Sequence, residues 1–536
     1  MEFLEKITPR KYQQKIFETC TQKNCLVVLP TGIGKTLIAL MLTIARMREF
    51  PGEKVVFLAP TKPLVEQHLN YFKKHLPELF AEMQLFTGAI NSEKRRKLWD
   101  TSDIIFSTPQ CVANDLRKKL YDLSSVCLLI EDEAHRCVKN YDYTYVARQY
   151  KNQAKNQRII GLTASPGSET SKIKDICKNL YIQEVELRTR HSDDVKKYLQ
   201  ELEFEKVMID FPQKFEEIKQ VLLAIFQRYV EELKMRRVLY GPATKIGLIQ
   251  LQKKISATLS RGNRNFNYLL GASACAQAIK IQHAIELLET QTLASFYKYL
   301  ENLSEQARKK QSKGVIKLVA STEFNYVFSQ TNELLKKGKE HPKLKKLEEI
   351  VIKEIREGTS SELESASQLG GRVGTPPNKK KFKAIIFSQF RDTATIISKR
   401  LNKLDNIKAK VFVGQTKKGG TGLSQKEQKK IIEEFSEGKI NILCATSIGE
   451  EGLDIPEVNA VIFYEPVPSA IRTIQRTGRT ARLMKGKLII LITKKTRDEA
   501  FFYASKAREK RMHSAISSIK EDFANNNKLD FQKKLD

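Results

Sequence analysis

The stretch Leu29-Pro30-Thr31-Gly32-Ile33-Gly34-Lys35-Thr36 follows the apolar run Cys25-Leu26-Val27-Val28 and leads into Leu37-Ile38-Ala39-Leu40-Met41-Leu42. An apolar strand, a turn ending in Gly-Lys-Thr and a helix together make a cradle for nucleotide phosphates. Gly32 and Gly34 have no Cβ, so the backbone can curl until successive N–H groups face one anion. In such a cradle Lys35 reaches the β- and γ-phosphates and the Thr36 hydroxyl holds Mg²⁺, so ATP with Mg²⁺ is the expected ligand. The position usually taken by the first glycine of the loop is Leu29. A glycine turn that merely joins a strand to a helix is the alternative.

Around the cradle, residues 1–195 alternate short apolar runs with longer helical patterns. The strand candidates are Leu26–Leu29, Val55–Leu58, Ile104–Phe106, Val126–Ile130 and Ile159–Leu162. That rhythm predicts an α/β domain with a parallel sheet covered by helices. Glu131-Asp132-Glu133-Ala134-His135 comes directly after one of these strands. Ligands of open parallel sheets bind beyond the carboxyl ends of strands, which puts this acidic segment and the cradle on one rim. Asp132 can then hold Mg²⁺ through water opposite Thr36, and Glu133 can orient the water that attacks the γ-phosphorus. Alone, an Asp-Glu pair would read as a solvated loop.

From 200 to 345 long stretches such as Phe215–Leu239 and Ala276–Leu303 carry apolar residues at helical spacing, which predicts a mostly helical insertion. Between Leu233 and Ile285 there is no acidic residue, yet Lys253, Lys254, Arg261 and Arg264 are among nine cations there. This reads as a phosphate-contacting face, with a solvated helix face as the alternative. Residues 358–381 are rich in Gly, Ser, Pro and Lys and read as a mobile linker. They lie inside a second α/β block, 346–510, with strand candidates Ala384–Phe387, Lys410–Val413, Ile442–Cys444, Val461–Phe463 and Leu488–Ile492. Residues 511–536 read as a helix and tail. Near the end of the second block, Gln475-Arg476-Thr477-Gly478-Arg479-Thr480-Ala481-Arg482 places Arg479 and Arg482 three apart, on one helical face. Arginines there could neutralise charge on a transferring phosphoryl group, which would require the two blocks to close on each other. A basic nucleic-acid-binding helix is the alternative.

The formal net charge is +31, a balance that attracts polyanions, most often nucleic acid. No run approaches ~18 uninterrupted apolar residues, so no membrane span is expected. Met1-Glu2-Phe3-Leu4-Glu5-Lys6 has neither a basic nor an apolar leader region, so a cytoplasmic, nucleoid-associated protein without a secretion signal is expected. The eight cysteines show no paired C-x-x-C spacing and read as reduced core thiols.

The motifs Pro30–Thr36, Asp132-Glu133-Ala134-His135, Thr163-Ala164-Ser165 and Gln475–Arg482, in this order, resemble those of superfamily-two helicases. Further segments are similar to the archaeal Hef and Fanconi anaemia complementation group M family of DNA helicases. They include Ala59-Pro60-Thr61-Lys62-Pro63, Ser107-Thr108-Pro109-Gln110, Thr446-Ser447-Ile448-Gly449-Glu450-Glu451-Gly452-Leu453-Asp454 and Tyr464-Glu465-Pro466. The resemblance covers nearly all the chain and implies two RecA-like parallel-sheet domains with a mostly helical insertion between them.

It also implies roles for individual residues. Arg10 and Gln13 resemble the adenine-reading element, and Gly452 and Asp454 the interdomain nucleotide contacts. Gln475, Arg479 and Arg482 resemble the catalytic set supplied by the second domain. Thr163 and Ser165 resemble the element coupling hydrolysis to strand movement. Thr61, Lys62 and Thr108, with Ser388, Gln389 and Thr446, resemble backbone contacts to one strand, and such contacts grip phosphates without reading bases. The implied activity is ATP-dependent remodelling of branched DNA, stalled forks and four-way junctions, in DNA repair. Hef carries a nuclease domain and helix-hairpin-helix repeats after its helicase part, whereas this sequence stops at Asp536. A nuclease partner would then be missing from this chain or act in trans, and no nuclease activity is expected in these residues. The innate-immune RNA sensors and the Dicer helicase share the general plan, so an ATP-gated duplex-RNA binder is the second reading. A scaffold with a dead ATPase is the third, against which Lys35, Glu133 and Arg482 argue.

Overall fold

The computed structural model describes residues 7–524 except 78, 191, 199–201, 263–265, 368–381, 415–421, 447–454, 468 and 470–485, and the side chains of 358–367 and 524 are likewise outside the description. The first domain is built on seven parallel strands: β1 (Cys25–Val28), β2 (Lys54–Leu58), β3 (Met83–Phe86), β4 (Ile104–Ser107), β5 (Val126–Asp132), β6 (Ile159–Thr163) and β7 (Glu184–Leu187). Their order across the sheet is β3-β4-β2-β5-β6-β1-β7. The five central strands are the apolar runs legible in the sequence, buried on both faces as parallel sheets require. The two edge strands were not foreseen, because Met83-Gln84-Leu85-Phe86 and Glu184-Val185-Glu186-Leu187 mix polar residues into half-buried positions.

The second sheet has six parallel strands in the order β10-β11-β9-β12-β13-β8. They are β8 (Leu202–Ile209), β9 (Ala384–Phe387), β10 (Ala409–Phe412), β11 (Ile442–Ala445), β12 (Ala460–Phe463) and β13 (Gly486–Thr493). The stretch assigned from its sequence to the helical insertion therefore begins with a strand of the second domain. All eight residues of β8 pair with β13. Leu-Glu-Phe-Glu alternates with the period of an edge strand, and Lys487 of β13 meets Glu205 at 3.1 Å.

Between the sheets lies a helical bundle, with helices Gln213–Met235, Lys245–Ser260, Phe266–Thr290, Leu293–Arg308, Lys313–Val319 and Thr322–Lys336. The pattern read as continuous over Ala276–Leu303 is two helices. Thr292 ends the run by capping the second helix, its Oγ1 accepting from Ser295 N at 3.2 Å, and the Glu340 carboxylate accepts from the Leu293 and Ala294 amides. A second correction concerns the linker: its first ten residues, 358–367, continue the helix Pro342–Ser367. Ser, Glu, Leu and Ala fill most of that stretch, and no proline interrupts it before Pro376. The rest of the linker lies outside the described residues.

The insertion is fastened to the second domain by polar contacts at its root. Lys343 and Asp498 form an ion pair with no exposed side-chain surface, and Lys343 also donates to the Thr290 carbonyl at 3.0 Å. Glu289 binds Lys219 at 3.0 Å and Arg497 at 3.4 Å, while Ser295 meets Thr393 and Lys298 meets Asp392. The helix Arg497–Ala524 leaves β13 and crosses to the first domain. Phe502 belongs to the core of the second sheet, whereas Met512, Ala515, Ile516 and Ile519 are buried in the core of the first. It runs through the boundary expected near residue 511. All eight cysteines are unpaired and buried. Among the described residues no helix is long and apolar enough to cross a membrane.

Candidate nucleotide and nucleic-acid site

The cradle rises from the carboxyl end of β1. Gly32 and Gly34 adopt φ of 81° and 90°, conformations that side chains with a Cβ rarely take, and Lys35 opens the helix Lys35–Glu49. A Cβ on Gly34 would lie 2.2 Å from Gln13 Nε2, so the loop closes onto the element expected to read adenine. Gln13 donates to the Ile33 carbonyl at 3.1 Å, and its Oε1 accepts from the Arg10 amide at 2.8 Å. The Arg10 guanidinium lies 4.7 Å over the Tyr198 ring. Leu29, where a glycine is usual, is fully buried in the core, and its carbonyl accepts from Lys35 Nζ at 2.9 Å.

Because β6 lies between β1 and β5, three motifs converge on one rim. Thr163, the last residue of β6, accepts from the Leu29 amide at 3.0 Å through its carbonyl. Its Oγ1 lies 3.2 Å from His135 Nδ1, which is also 3.2 Å from the Glu133 carboxylate. Ser165 N donates to Thr163 Oγ1 at 3.1 Å, and Ser165 Oγ donates to Met512 Sδ at 2.8 Å, on the helix that comes from the second domain. Thus the acidic segment, Thr163-Ala164-Ser165 and the cradle form one hydrogen-bonded line.

Asp132 ends β5 and is buried, its Oδ2 2.8 Å from His68 Nε2 and its carbonyl accepting from Tyr143 Oη at 2.6 Å. Burial would push this carboxyl up, but the His68 hydrogen bond, the charges of His68 and Lys35 and the Glu133 amide together hold it below its ordinary value. An ionised carboxylate within the field of Lys35 suits a hard divalent cation. Thr31 Oγ1 is buried with no hydrogen-bond partner, an orphan donor at the mouth of the cradle that a phosphate oxygen would satisfy. The residues therefore fit ATP with Mg²⁺. Neither His68 nor Tyr143 was foreseen, because His68 reaches Asp132 from a helix 64 residues earlier and Tyr143 from the helix Asp142–Gln153 that follows the acidic segment, and neither shows a spacing that points to a carboxylate.

Thr61 and Thr108 stand at the N-cap positions of the helices Lys62–His75 and Pro109–Arg117, which follow the adjacent strands β2 and β4, and neither makes a side-chain cap hydrogen bond. Lys62, the first residue of its helix, lies 3.4 Å from Glu66. Thr61 Oγ1 is buried without a hydrogen-bond partner. In the second domain Ser388 and Thr446 follow the adjacent strands β9 and β11, and Ser388 N donates to the Ala445 carbonyl at 2.9 Å. Gln389 is exposed, whereas Ser388 is fully buried with its Oγ 3.5 Å from Gln291 of the insertion. Lys253, Lys254 and Arg261 are exposed on the bundle. Gln475, Arg479, Arg482, Gly452, Asp454 and Arg264 lie outside the described residues.

A glycine-lined loop, the Asp132-Glu133-Ala134-His135 segment and Thr163-Ala164-Ser165 brought to one rim of a parallel-sheet domain, in a chain with a second such domain, define a superfamily-two helicase. Family models agree. DEAD/DEAH box helicase matches residues 10–173 and helicase conserved C-terminal domain matches 368–484. A third, provisionally described as the helical bundle of an ATP-dependent RNA helicase, matches 214–338. The helicase domain of Pyrococcus furiosus Hef is 40% identical over 93% of this chain and 98% of that one, with a TM-score of 0.67. The chain belongs to the Hef and Fanconi anaemia group M family of helicases. A Methanocaldococcus jannaschii protein provisionally named an ATP-dependent RNA helicase is 37% identical over 95% of the chain. The mouse Fanconi anemia group M protein homolog is 31% identical over 96%. The chain spans 61% of the length of the former and 26% of the latter.

Proposed function

We propose that this chain is an ATP-driven motor that remodels branched DNA in repair. The observation that carries the motor is the line from the cradle through Thr163, His135 and Ser165 to Met512, which ties the nucleotide site to a helix whose Phe502 is anchored in the second domain. In this mechanism Lys35 releases the Leu29 carbonyl to take the phosphates. Thr36 and Asp132 would hold Mg²⁺, whose chemistry is to neutralise charge on the phosphates. His68 keeps Asp132 ionised and oriented. Glu133 positions the attacking water, and His135 and Thr163 relay its displacement to Ser165. Thr61 and Thr108 in one domain and the segment from Ser388 in the other then grip a strand backbone at positions that shift as the domains close.

DNA is favoured by kinship with proteins named as DNA helicases, such as the mph1 protein of Sclerotinia sclerotiorum, 31% identical over 95% of this chain. The branched-substrate reading rests on the resemblance to the Hef and Fanconi anaemia group M family, and the exposed cations of the insertion supply phosphate contacts for it. The name of the M. jannaschii relative supports a second reading, action on RNA. ATP turnover measured with single-stranded DNA, a four-way DNA junction, duplex RNA or no nucleic acid should be highest with the junction. Highest turnover with duplex RNA would overturn the DNA reading. Lys35→Ala should lower turnover by about two orders of magnitude or more while leaving junction affinity nearly unchanged, checked by phosphate release and fluorescence anisotropy.

A further inference from the structure

Eleven large apolar side chains are strongly exposed among the described residues, and six of them fall between Met235 and Leu269. Scattered apolar residues on a surface need no explanation, but such a concentration does. Met235 is 77% exposed, Tyr240 85%, Ile246 69% and Phe266 70%. They are not badly packed core. The helix Lys245–Ser260 buries Leu248 and Ile255, which pack with Ala274, Cys275 and Ala278 of the helix Phe266–Thr290. Ile246 and Ile249 lie off that face. Gly271 lets Val238 pack against the same helix, a Cβ there lying 3.2 Å from Val238 Cγ2. This sets the turn carrying Tyr240 beside the N-terminal turns that carry Phe266 and Leu269.

The same outer end carries no carboxylate from Leu233 to Ile285. Lys253, Lys254 and Arg261 are exposed there with no ion pair among the described residues. Lysines and arginines alone would suffice to hold phosphates. Large apolar and aromatic side chains set among them add something phosphates cannot use, since rings stack on base faces, and base faces are open only where pairing is interrupted. We infer that the outer end of the insertion is a base-stacking surface. Tyr240 and Phe266, supported by Met235 and Ile246, take unpaired bases at a DNA branch while the neighbouring cations hold the flanking phosphates. This rests on the branched-DNA reading and adds to it a contact with bases.

The test compares three variants of the whole 536-residue chain with the parent: Tyr240→Ala with Phe266→Ala, Tyr240→Phe with Phe266→Tyr, and Lys253→Ala with Lys254→Ala and Arg261→Ala. Affinity is measured across a salt series for a four-way junction and for blunt duplex DNA of equal length, with 2-aminopurine at the branch point. The alanine pair should lower junction affinity about tenfold or more, leave duplex affinity and the salt slope unchanged, and abolish the 2-aminopurine signal change. The aromatic replacements should restore both the junction affinity and the 2-aminopurine signal change. The cation variant should flatten the salt slope on both DNAs. Junction binding by the alanine pair equal to the parent's, or an unchanged 2-aminopurine signal in that variant, would overturn the inference. A parent chain that binds junction and duplex equally would instead overturn the branched-DNA reading.

Discussion

At residue scale, the proposed hold on Mg²⁺ turns on the contact between His68 and Asp132. His68 is buried, its ring lies tilted 4.4 Å from that of Phe57, and it has Asp132 Oδ2 as a partner. His68→Ala leaves the carboxylate with burial opposing its charge and one compensating partner fewer. The Mg²⁺ concentration for half-maximal ATP turnover should rise several-fold, a shift that a metal titration reads directly, and His68→Gln should restore part of it. Next to it, Glu131 has both carboxylate oxygens buried without hydrogen-bond partners, and burial pushes the carboxyl well up. A raised folded-state value means that the proton it keeps favours the fold at low pH, and stability is lost as pH rises above its ordinary value of 4.5. Glu131→Met should therefore stabilise the first domain by about 1–3 kcal/mol at pH 8 and much less at pH 5, as melting curves at the two pH values would show. The cradle was legible because its chemistry fixes residue identity over contiguous positions. The partners that tune Asp132 were not, because a histidine on a helix and a tyrosine after a strand announce nothing until the sheet brings them together.

At the scale of elements, the helix Arg497–Ala524 shows how two allegiances hide a pattern. Its first turns present Phe502 to the second sheet, and its later turns present Met512, Ala515, Ile516 and Ile519 to the first. No single apolar stripe runs its length, so the sequence reads only as helical and gives no hint of what it covers. The same applies in miniature to β8, whose alternation suits a strand but whose partner is nearly three hundred residues away in sequence. Ile516→Ala with Ile519→Ala removes buried side chains from the joint with the first domain, each worth about 2–5 kcal/mol in a well-packed core. The double variant should retain nucleotide binding, since the cradle is untouched, yet lose most of the stimulation of turnover by DNA. Nucleotide fluorescence and phosphate release, measured on one preparation, separate these effects.

At the scale of the whole molecule, the buried contacts of Lys343, Asp498, Glu289 and Arg497 make the insertion and the second domain one body. His341 sits in that joint, fully buried against Phe211 and Phe215, with Nδ1 accepting from the Lys343 amide at 3.3 Å. Burial, with the Lys343 charge adding to it, pushes the imidazole well below its ordinary 6.5. A depressed folded-state value contributes stability above pH 6.5 that is lost as pH falls, because the unfolded chain takes up a proton the folded one refuses. The body should thus weaken progressively from pH 6.5 downward, and His341→Asn, which keeps a cap acceptor without titrating, should flatten that limb. Hydrogen exchange of the Phe266–Thr290 and Pro342–Ser367 helices, followed across this range, checks it. The two-sheet plan itself was readable from the rhythm of strand and helix, since each block repeats it locally. How the blocks are fastened was not, because that depends on side chains meeting across the fold.

The bridging helix also has a consequence for how the chain comes into being. The ribosome delivers residues of the first sheet early, yet part of that sheet's apolar core is supplied by Met512, Ala515, Ile516 and Ile519. Until more than three hundred further residues have emerged, the nascent first domain carries an uncovered apolar groove over the helix Thr170–Asn179 and β7. The domain that is made first is completed last, and its maturation waits on the synthesis of both its neighbours.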